Sequence, residues 1–252
     1  MTQYTTIRLV QDGQIARLTF NRPEALNALS PTLIDEATAA TEAVGGTDAR
    51  VLVLAGEGRA FSAGVDLKAA AGFDRDGARR FTEQARKLID LLETIPQAVI
   101  ARVDGFCFTG GLEVALACDF IIASEGSQFA DTHAKLGMKS GWGMTQRLPR
   151  RVGWMRAKEM SYTARRISAH EAVRIGLILE AVPAAELDAR IEAIAAEIIA
   201  NSAGSVAAYK TLYRAAQNTG LDAGLEYDAN VRIKIADNRE RQTGFTAGLG
   251  KR

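Results

Sequence analysis

The sequence predicts an α/β protein with an all-helical C-terminal region, and three observations carry that prediction. Strand-like and helix-like segments alternate from the N-terminus to about Pro183, the pattern of a layered α/β core. Arg50-Val51-Leu52-Val53-Leu54-Ala55-Gly56 is a continuous apolar run ending in glycine, as expected of a strand buried on both faces. Beyond Glu186 the period is helical almost throughout, with Leu187, Ile191, Ile194 and Ile198 on one face. The expected division is a core over 1–183 and a helical region over 184–252, which would serve oligomerisation.

The chain opens as a hairpin: Ile7-Arg8-Leu9-Val10 and 15–20 flank Gln11-Asp12-Gly13-Gln14, and Asp-Gly is a strong turn signal. A helix follows, with Ser30 as N-cap, Pro31 at the first helical position, and Leu33, Ile34, Ala37, Ala40, Thr41 and Val44 as its apolar stripe before Gly45-Gly46. After the buried strand, Phe81, Ala85, Leu88, Leu92 and Ile95 predict a helix over 81–95 that Pro96 stops. Residues 98–103 read as another strand. Gly110-Gly111 opens a short helix to about Ala117, and 119–123 is a further strand. Ser168-Ala169-His170-Glu171 has the form of a capping box, Gly176 suits that helix's left-handed exit, and 178–182 reads as one more strand.

Composition excludes several classes. In 252 residues, Lys+Arg is 31 against Asp+Glu 30, a net charge of +1, so a generally basic nucleic-acid binder is excluded. Two cysteines, Cys107 and Cys118, make neither a disulfide framework nor a zinc ribbon, and two histidines exclude a His-rich metal site. The N-terminus lacks the basic and apolar regions of a signal peptide, and no apolar run approaches the ~18–20 residues of a membrane span. The expected setting is the cytoplasm, without membrane or nucleic-acid partners and with no metal.

Among the motifs, Gly56-Glu57-Gly58 follows a buried strand, but the third fingerprint position is Phe61, so a dinucleotide site is not supported. Ser62 in Ala60-Phe61-Ser62-Ala63-Gly64 is an incomplete nucleophile elbow. The segment 105–113 is more informative. A strand ends, a glycine pair begins a helix, and Glu113 sits in the first turn. Free N–H groups at a helix start polarise an anionic oxygen, although Gly-Gly also serves tight packing and a glutamate is favourable near any helix N-terminus. His133 gains weight as a functional residue only if it faces Glu113; His170 reads as part of its capping box.

Taken together, these segments resemble the crotonase, or enoyl-CoA hydratase/isomerase, superfamily. Residues 21–29 look like its first CoA-contacting loop, 58–67 like its first oxyanion-hole segment, 104–119 like the second, and 143–153 like the stretch after the active site, in matching order over roughly 5–215. The resemblance implies a ββα spiral core and a trimer or dimer of trimers joined through the helical tail. It implies that the backbone N–H groups of Val65 and Gly110 form an oxyanion hole for a thioester carbonyl. It also implies that Ala25, Leu26, Ala63, Asp66, Leu67 and Gly111 line the path of coenzyme A, which enters as part of the acyl-CoA substrate, with no permanently bound cofactor. Arg22 and Lys68 either meet the CoA phosphates or are solvated surface charges. The segment 69–78, with Gly72 and Gly77, would cover the acyl group as a mobile stretch.

Glu113 falls on the first catalytic glutamate of the hydratases, and the position of the second is His133. An imidazole, with an unperturbed pKa of about 6.5, serves as acid or base near neutrality. The tail departs as well, with Thr243 where glutamate is usual and Gly248 where phenylalanine is usual. The leading expectation is a hydro-lyase that adds water to a trans-2-enoyl-CoA in fatty-acid β-oxidation. Enoyl-CoA isomerisation, acyl-CoA hydrolysis or carbon–carbon cleavage, and a weakly active CoA-binding scaffold are the alternatives.

Overall fold

The computed structural model describes residues 4–249. Its main sheet has the order β1-β2-β3-β5-β7-β10, made of β1 (Ile7–Asp12), β2 (Ile15–Phe20), β3 (Val51–Gly56), β5 (Ala98–Val103), β7 (Phe120–Ser124) and β10 (Glu180–Val182). Only the β1–β2 hairpin is antiparallel, and Gly13 takes the positive φ (+54°) that its turn requires. A second, smaller sheet has the order β4-β6-β8-β9: β4 (Ala60–Ser62), β6 (Phe106–Phe108) and β8 (Gln128–Ala130) are parallel, and β9 (Ile167–Ser168) is antiparallel to β8.

The chain passes from one sheet to the other in repeated turns: β3 to β4, β5 to β6, β7 to β8. After β4 come α2 (Leu67–Ala70) and α3 (Arg75–Thr94), and after β6 comes α4 (Gly110–Leu116). The four strands of the small sheet, of two or three residues each, are too short to show a period of their own, so the sequence gives no sign of them.

The core fills both faces of the main sheet. On one face, α1 (Pro31–Gly45) buries Leu33, Ile34, Ala37, Ala40, Thr41 and Val44, the stripe expected, and Ser30 caps it by accepting from Leu33 N–H. Beside it α3 buries Phe81, Ala85, Leu88, Ile89 and Leu92. This helix begins well before the expected start at 81. Asp74 caps it, accepting from Gly77 N–H at 2.7 Å, and its first turns are polar, which hides them from an apolar-period reading. Gly77 therefore lies in helix rather than in a mobile cover. The chain continues through α5 (Met144–Val152), α6 (Trp154–Thr163) and α7 (Ala169–Arg174). Only half of the capping box forms at α7: Ser168 Oγ accepts from Glu171 N–H, but the Glu171 carboxylate turns to Arg165 instead.

Beyond Pro183, α8 (Leu187–Ala200) closes the other face of the sheet. Leu187, Ile191, Ile194 and Ala195 pack on Val51, Val53, Ile100 and Ile122. The apolar stripe that would have called for a partner subunit is thus covered by the chain's own sheet. Next, α9 (Ala203–Asn218) is pinned by Lys210, whose Nζ donates to the carbonyls of Leu92 (2.8 Å) and Gln97 (2.9 Å) and pairs with Asp119 at 3.0 Å. Last come α10 (Leu221–Asn230) and α11 (Asn238–Leu249), and Leu221, Leu225, Tyr227 and Phe245 are exposed there, as are Tyr209 and Tyr213 on α9. The tail signature at 243–252 runs past the described residues at 250. Among the described residues, no single helix is long and apolar enough to cross a membrane.

Candidate active site

Three adjacent parallel strands end at one place, and each delivers a different part of the site. Ser62 at the end of β4 pairs in register with Cys107 on β6, and Phe108 at the end of β6 pairs with Ala130 at the end of β8. The chain leaving β4 makes the turn to Val65, the chain leaving β6 starts α4, and the chain leaving β8 carries Asp131 and His133. Ligands of parallel α/β sheets gather at such carboxyl ends.

The first turn is pinned by the loop 22–29. Leu26 O accepts from Ala63 N–H (3.0 Å), Gly64 O accepts from Leu29 N–H (2.8 Å), and Leu29 O accepts from Asp66 N–H (3.0 Å). The loop is held by buried Asn27. Its Nδ2 donates to the carbonyls of Glu57 and Ala60, and its Oδ1 accepts from Arg22 N–H. Leu26 and Asn27 both have φ above +50°, a conformation these contacts must hold against its intrinsic cost.

Gly64 (φ +100°) packs so closely on α4 that a Cβ there would lie 3.3 Å from Gly110 N. Val65 follows at once, so its backbone is brought beside the start of α4. Neither Val65 N–H nor Gly110 N–H donates to a protein acceptor among the described residues. Thr109, the residue before α4, has φ +50°, a region costly for a side chain, and is fixed by its N–H donating to Ala130 O and by Thr132 Oγ1.

Gly110 and Gly111 are glycines for different reasons. A Cβ on Gly110 would meet the Trp142 ring at 2.8 Å, whereas one on Gly111 would meet Ser62 O at 2.5 Å. Gly111 thus faces β4 and allows α4 to pack there. Trp142 closes the other side, edge-on to Phe81 (5.4 Å), which in turn packs on Phe73 (5.5 Å).

Glu113 lies one turn into α4 and is 1% exposed. Its Oε1 accepts from Trp142 N–H and Met144 N–H, both at 3.0 Å. Oε2 faces His133 Nε2 at 3.7 Å. Burial raises the Glu113 pKa, more than the two N–H groups and the imidazole lower it. His133 is 7% exposed, and its Nδ1 is 2.6 Å from Asp131 Oδ1. Burial opposes its charged form, but the hydrogen bond to Asp131 and the charges of Glu113 and Asp131 outweigh that, so its pKa is raised. The condition set for His133, that it face Glu113, is met. The His170 side chain is 73% exposed, with Glu125 at 3.8 Å, and touches none of these residues by hydrogen bond or ion pair.

Of the residues expected along a CoA path, Gly111 is instead buried in α4 against β4, where it serves helix packing, and the others lie on the two paired turns. Ala25, Leu26 and Ala63 are half-buried and Leu67 is exposed. The Asp66 carboxylate caps α2, accepting from Ala69 N–H, and pairs with Arg22 at 2.9 Å. Arg22, which also donates to Ala28 O, is therefore neither a solvated charge nor a free phosphate ligand, whereas Lys68 is exposed. Ser62 is fully buried, and its Oγ accepts from Gly64 N–H, so it supports the turn rather than acting as a nucleophile. Both cysteines are buried and free. Sequence reading gave no role to Asn27, Thr109, Asp131 or Trp142; of these only Asp131, two residues before the histidine, carried a usable signal.

The family model described as Enoyl-CoA hydratase/isomerase matches residues 11–252. This chain belongs to the enoyl-CoA hydratase/isomerase family. A crotonyl-CoA hydratase of Syntrophomonas wolfei subsp. wolfei is 35% identical over 251 residues, covering 99% of this chain and 96% of that one. A short-chain-enoyl-CoA hydratase of Clostridium acetobutylicum is 32% identical, covering 99% and 97%. The crystal structure of an enoyl-CoA hydratase from Bacillus anthracis superimposes with a TM-score of 0.92 at 34% identity, over 98% of this chain and 97% of that one. The family's crotonase fold and its C-terminal helical region are therefore those of this protein.

Proposed function

We propose that this family member is an enoyl-CoA hydratase, a hydro-lyase that adds water across the double bond of a trans-2-enoyl-CoA to give the 3-hydroxyacyl-CoA. The observation that carries the reading is the facing of Glu113 and His133 beside the start of α4. Two atoms 3.7 Å apart are both within hydrogen-bond reach of one shared water. The names of the relatives, which are hydratases of crotonyl-CoA and short-chain enoyl-CoA, agree with it.

The chemistry follows from where charge develops. The thioester carbonyl rests between Val65 N–H and Gly110 N–H, and these donors stabilise the enolate oxygen, each by roughly 2.7–4 kcal/mol in the transition state. Glu113 takes a proton from the water as its oxygen bonds to C3, and the raised pKa makes it a stronger base than an exposed carboxylate. The electron pair of the double bond moves toward C2 and the carbonyl. His133, whose protonated form its carboxylate neighbours favour, then delivers a proton to C2 as the enolate collapses. One water is consumed, and a proton returned from Glu113 to His133 restores the starting state. These groups suffice without a resident cofactor or metal.

The assembly belongs to the same reading: a trimer or hexamer built through the helical region 184–252, in the cytoplasm, acting in β-oxidation of fatty acids. Supporting it are the aromatic and aliphatic side chains left exposed on α9, α10 and α11. The test is turnover of crotonyl-CoA, followed as loss of the enoyl-thioester absorbance, with the product identified as 3-hydroxybutyryl-CoA. No hydration, with conversion of a 3-enoyl-CoA to its 2-enoyl isomer instead, would replace this reading by isomerisation.

A further inference from the structure

The side chain facing Glu113 is an imidazole, and an imidazole has a difficulty that a carboxylate does not. The two oxygens of a carboxylate are equivalent, so either one serves. The two nitrogens of a neutral imidazole are not, because one carries the proton and the other accepts. A histidine doing proton transfer through Nε2 therefore needs something to hold Nδ1.

We propose that Asp131 is the positioning residue of this site, holding the Nδ1–H of His133 so that Nε2 alone is presented to Glu113 and the substrate. The inference rests on the hydratase reading, in which His133 is the second proton-transfer group.

Asp131 is 3% exposed, where a carboxylate is costly unless it is hydrogen-bonded. Each of its oxygens has partners. Oδ1 accepts from His133 N–H at 3.2 Å and lies 2.6 Å from His133 Nδ1. Oδ2 accepts from Ser161 Oγ at 2.6 Å. An ionised carboxylate only accepts, so the ring proton is on Nδ1 and the free lone pair, or the second proton of the charged ring, is on Nε2. The local chain makes this contact almost unavoidable. Asp131 follows directly on β8, and an aspartate that bonds the N–H two residues on forms an Asx turn. That turn folds the histidine ring back onto the same oxygen. Ser161, from α6, then fixes the carboxylate from the side away from the ring. The charged groups acting on His133 are Asp131 from its own segment and Glu113 from α4; α6 contributes the uncharged Ser161.

The chain has only two histidines, which makes the ring directly observable. In an H170Q background, nitrogen-15 NMR reads His133 alone. The neutral ring should be the Nδ1–H tautomer. Asp131→Asn keeps an acceptor at Oδ1 and the turn, but removes the charge. The His133 titration should then move to lower pH, kcat on crotonyl-CoA should fall by at least about tenfold with little change in KM, and the pH–rate profile should move with the ring. A merely structural aspartate would change the melting temperature and leave the titration and the profile in place. An Nε2–H tautomer in the H170Q protein overturns the proposal even if the asparagine variant fails to fold, as does a titration unmoved in that variant. A moved titration with unchanged kcat also overturns it. H133A then separates the causes: if it too keeps its kcat, the acid–base reading of His133 has failed, and if it loses turnover, only the role of Asp131 has.

Discussion

Replacing Glu113 in two ways separates its chemical work from its structural work. Oε1 satisfies two buried backbone N–H groups, those of Trp142 and Met144, while Oε2 faces the histidine. Glutamine retains a carbonyl oxygen for both N–H groups and removes only the ability to carry a proton. E113Q should therefore fold normally, while turnover falls by about 10²–10⁴-fold. It should also be at least as stable as the parent at neutral pH. A carboxyl group whose folded pKa is raised binds its proton more tightly when folded. Its contribution is fully present below the unfolded pKa and is lost as pH rises through the folded one, so glutamine, which has no charge to bury, gives up nothing on neutral-pH stability. Alanine removes the acceptor as well. Two N–H groups are orphaned at about 1–3 kcal/mol each, so E113A should be destabilised by about 2–6 kcal/mol. The assay pairs crotonyl-CoA turnover with urea unfolding of both variants. Turnover within a few-fold of the parent in E113Q, or equal stability of the two variants, would refute the assignment.

The other outcomes concern separate parts of the molecule. H133A should cost about 10²-fold in kcat, and H133E should recover little by itself because a third carboxylate then crowds Asp131 and Glu113; H133E combined with D131N should be the faster of the two, as initial rates will show. N27A leaves two carbonyls and one N–H without their buried partner, so it should lose about 2–4 kcal/mol by denaturant titration and raise KM for acyl-CoA through a loosened 22–29 loop. The Glu36 carboxylate accepts four hydrogen bonds from Thr5 and Thr6, which outweigh burial and lower its pKa. Its contribution is present above the unfolded pKa and lost as pH falls through the folded one, so the stability gap between the parent and E36Q should close in acid. Light scattering at micromolar concentration should give a trimer or hexamer, and Tyr213→Glu with Leu225→Glu should shift it toward monomer; a monomeric parent would refute the assembly.

Much of the fold was legible because its large elements bury one continuous surface. The stripe of α1 and the apolar run of β3 state their surroundings outright. The small sheet was not, since strands of three residues such as β4, β6 and β8 are fixed by neighbours rather than by their own pattern. Nor did the repeated turn between the sheets show as a period, because the connections differ: α2 and α3 lie between β4 and β5, but only α4 lies between β6 and β7. At the site, Glu113 and Gly110 stood out through the glycine pair at a helix start. Asp131 did not, because its work depends on a ring folding back over the chain, and Trp142 did not, because its target is the bare Cα of Gly110.

The separate strand ends give the site an uneven tolerance of mutation. In the proposed mechanism the carbonyl is polarised by main chain, on the turns after β4 and β6, and a single substitution cannot delete a backbone N–H unless it introduces proline. What handles protons is side chain, and the histidine hangs from β8, a different strand, on a turn that it shares with its own aspartate. Because Ala130 O and Thr132 Oγ1 hold Thr109 before Gly110, changes at 131 and 133 leave the electrophilic half in place only while the turn between them keeps its shape. On that mechanism, a laboratory library exchanges a carboxylate for an Asp-x-His pair and back by two substitutions in one turn, leaving the backbone N–H donors of Val65 and Gly110 in place at every step.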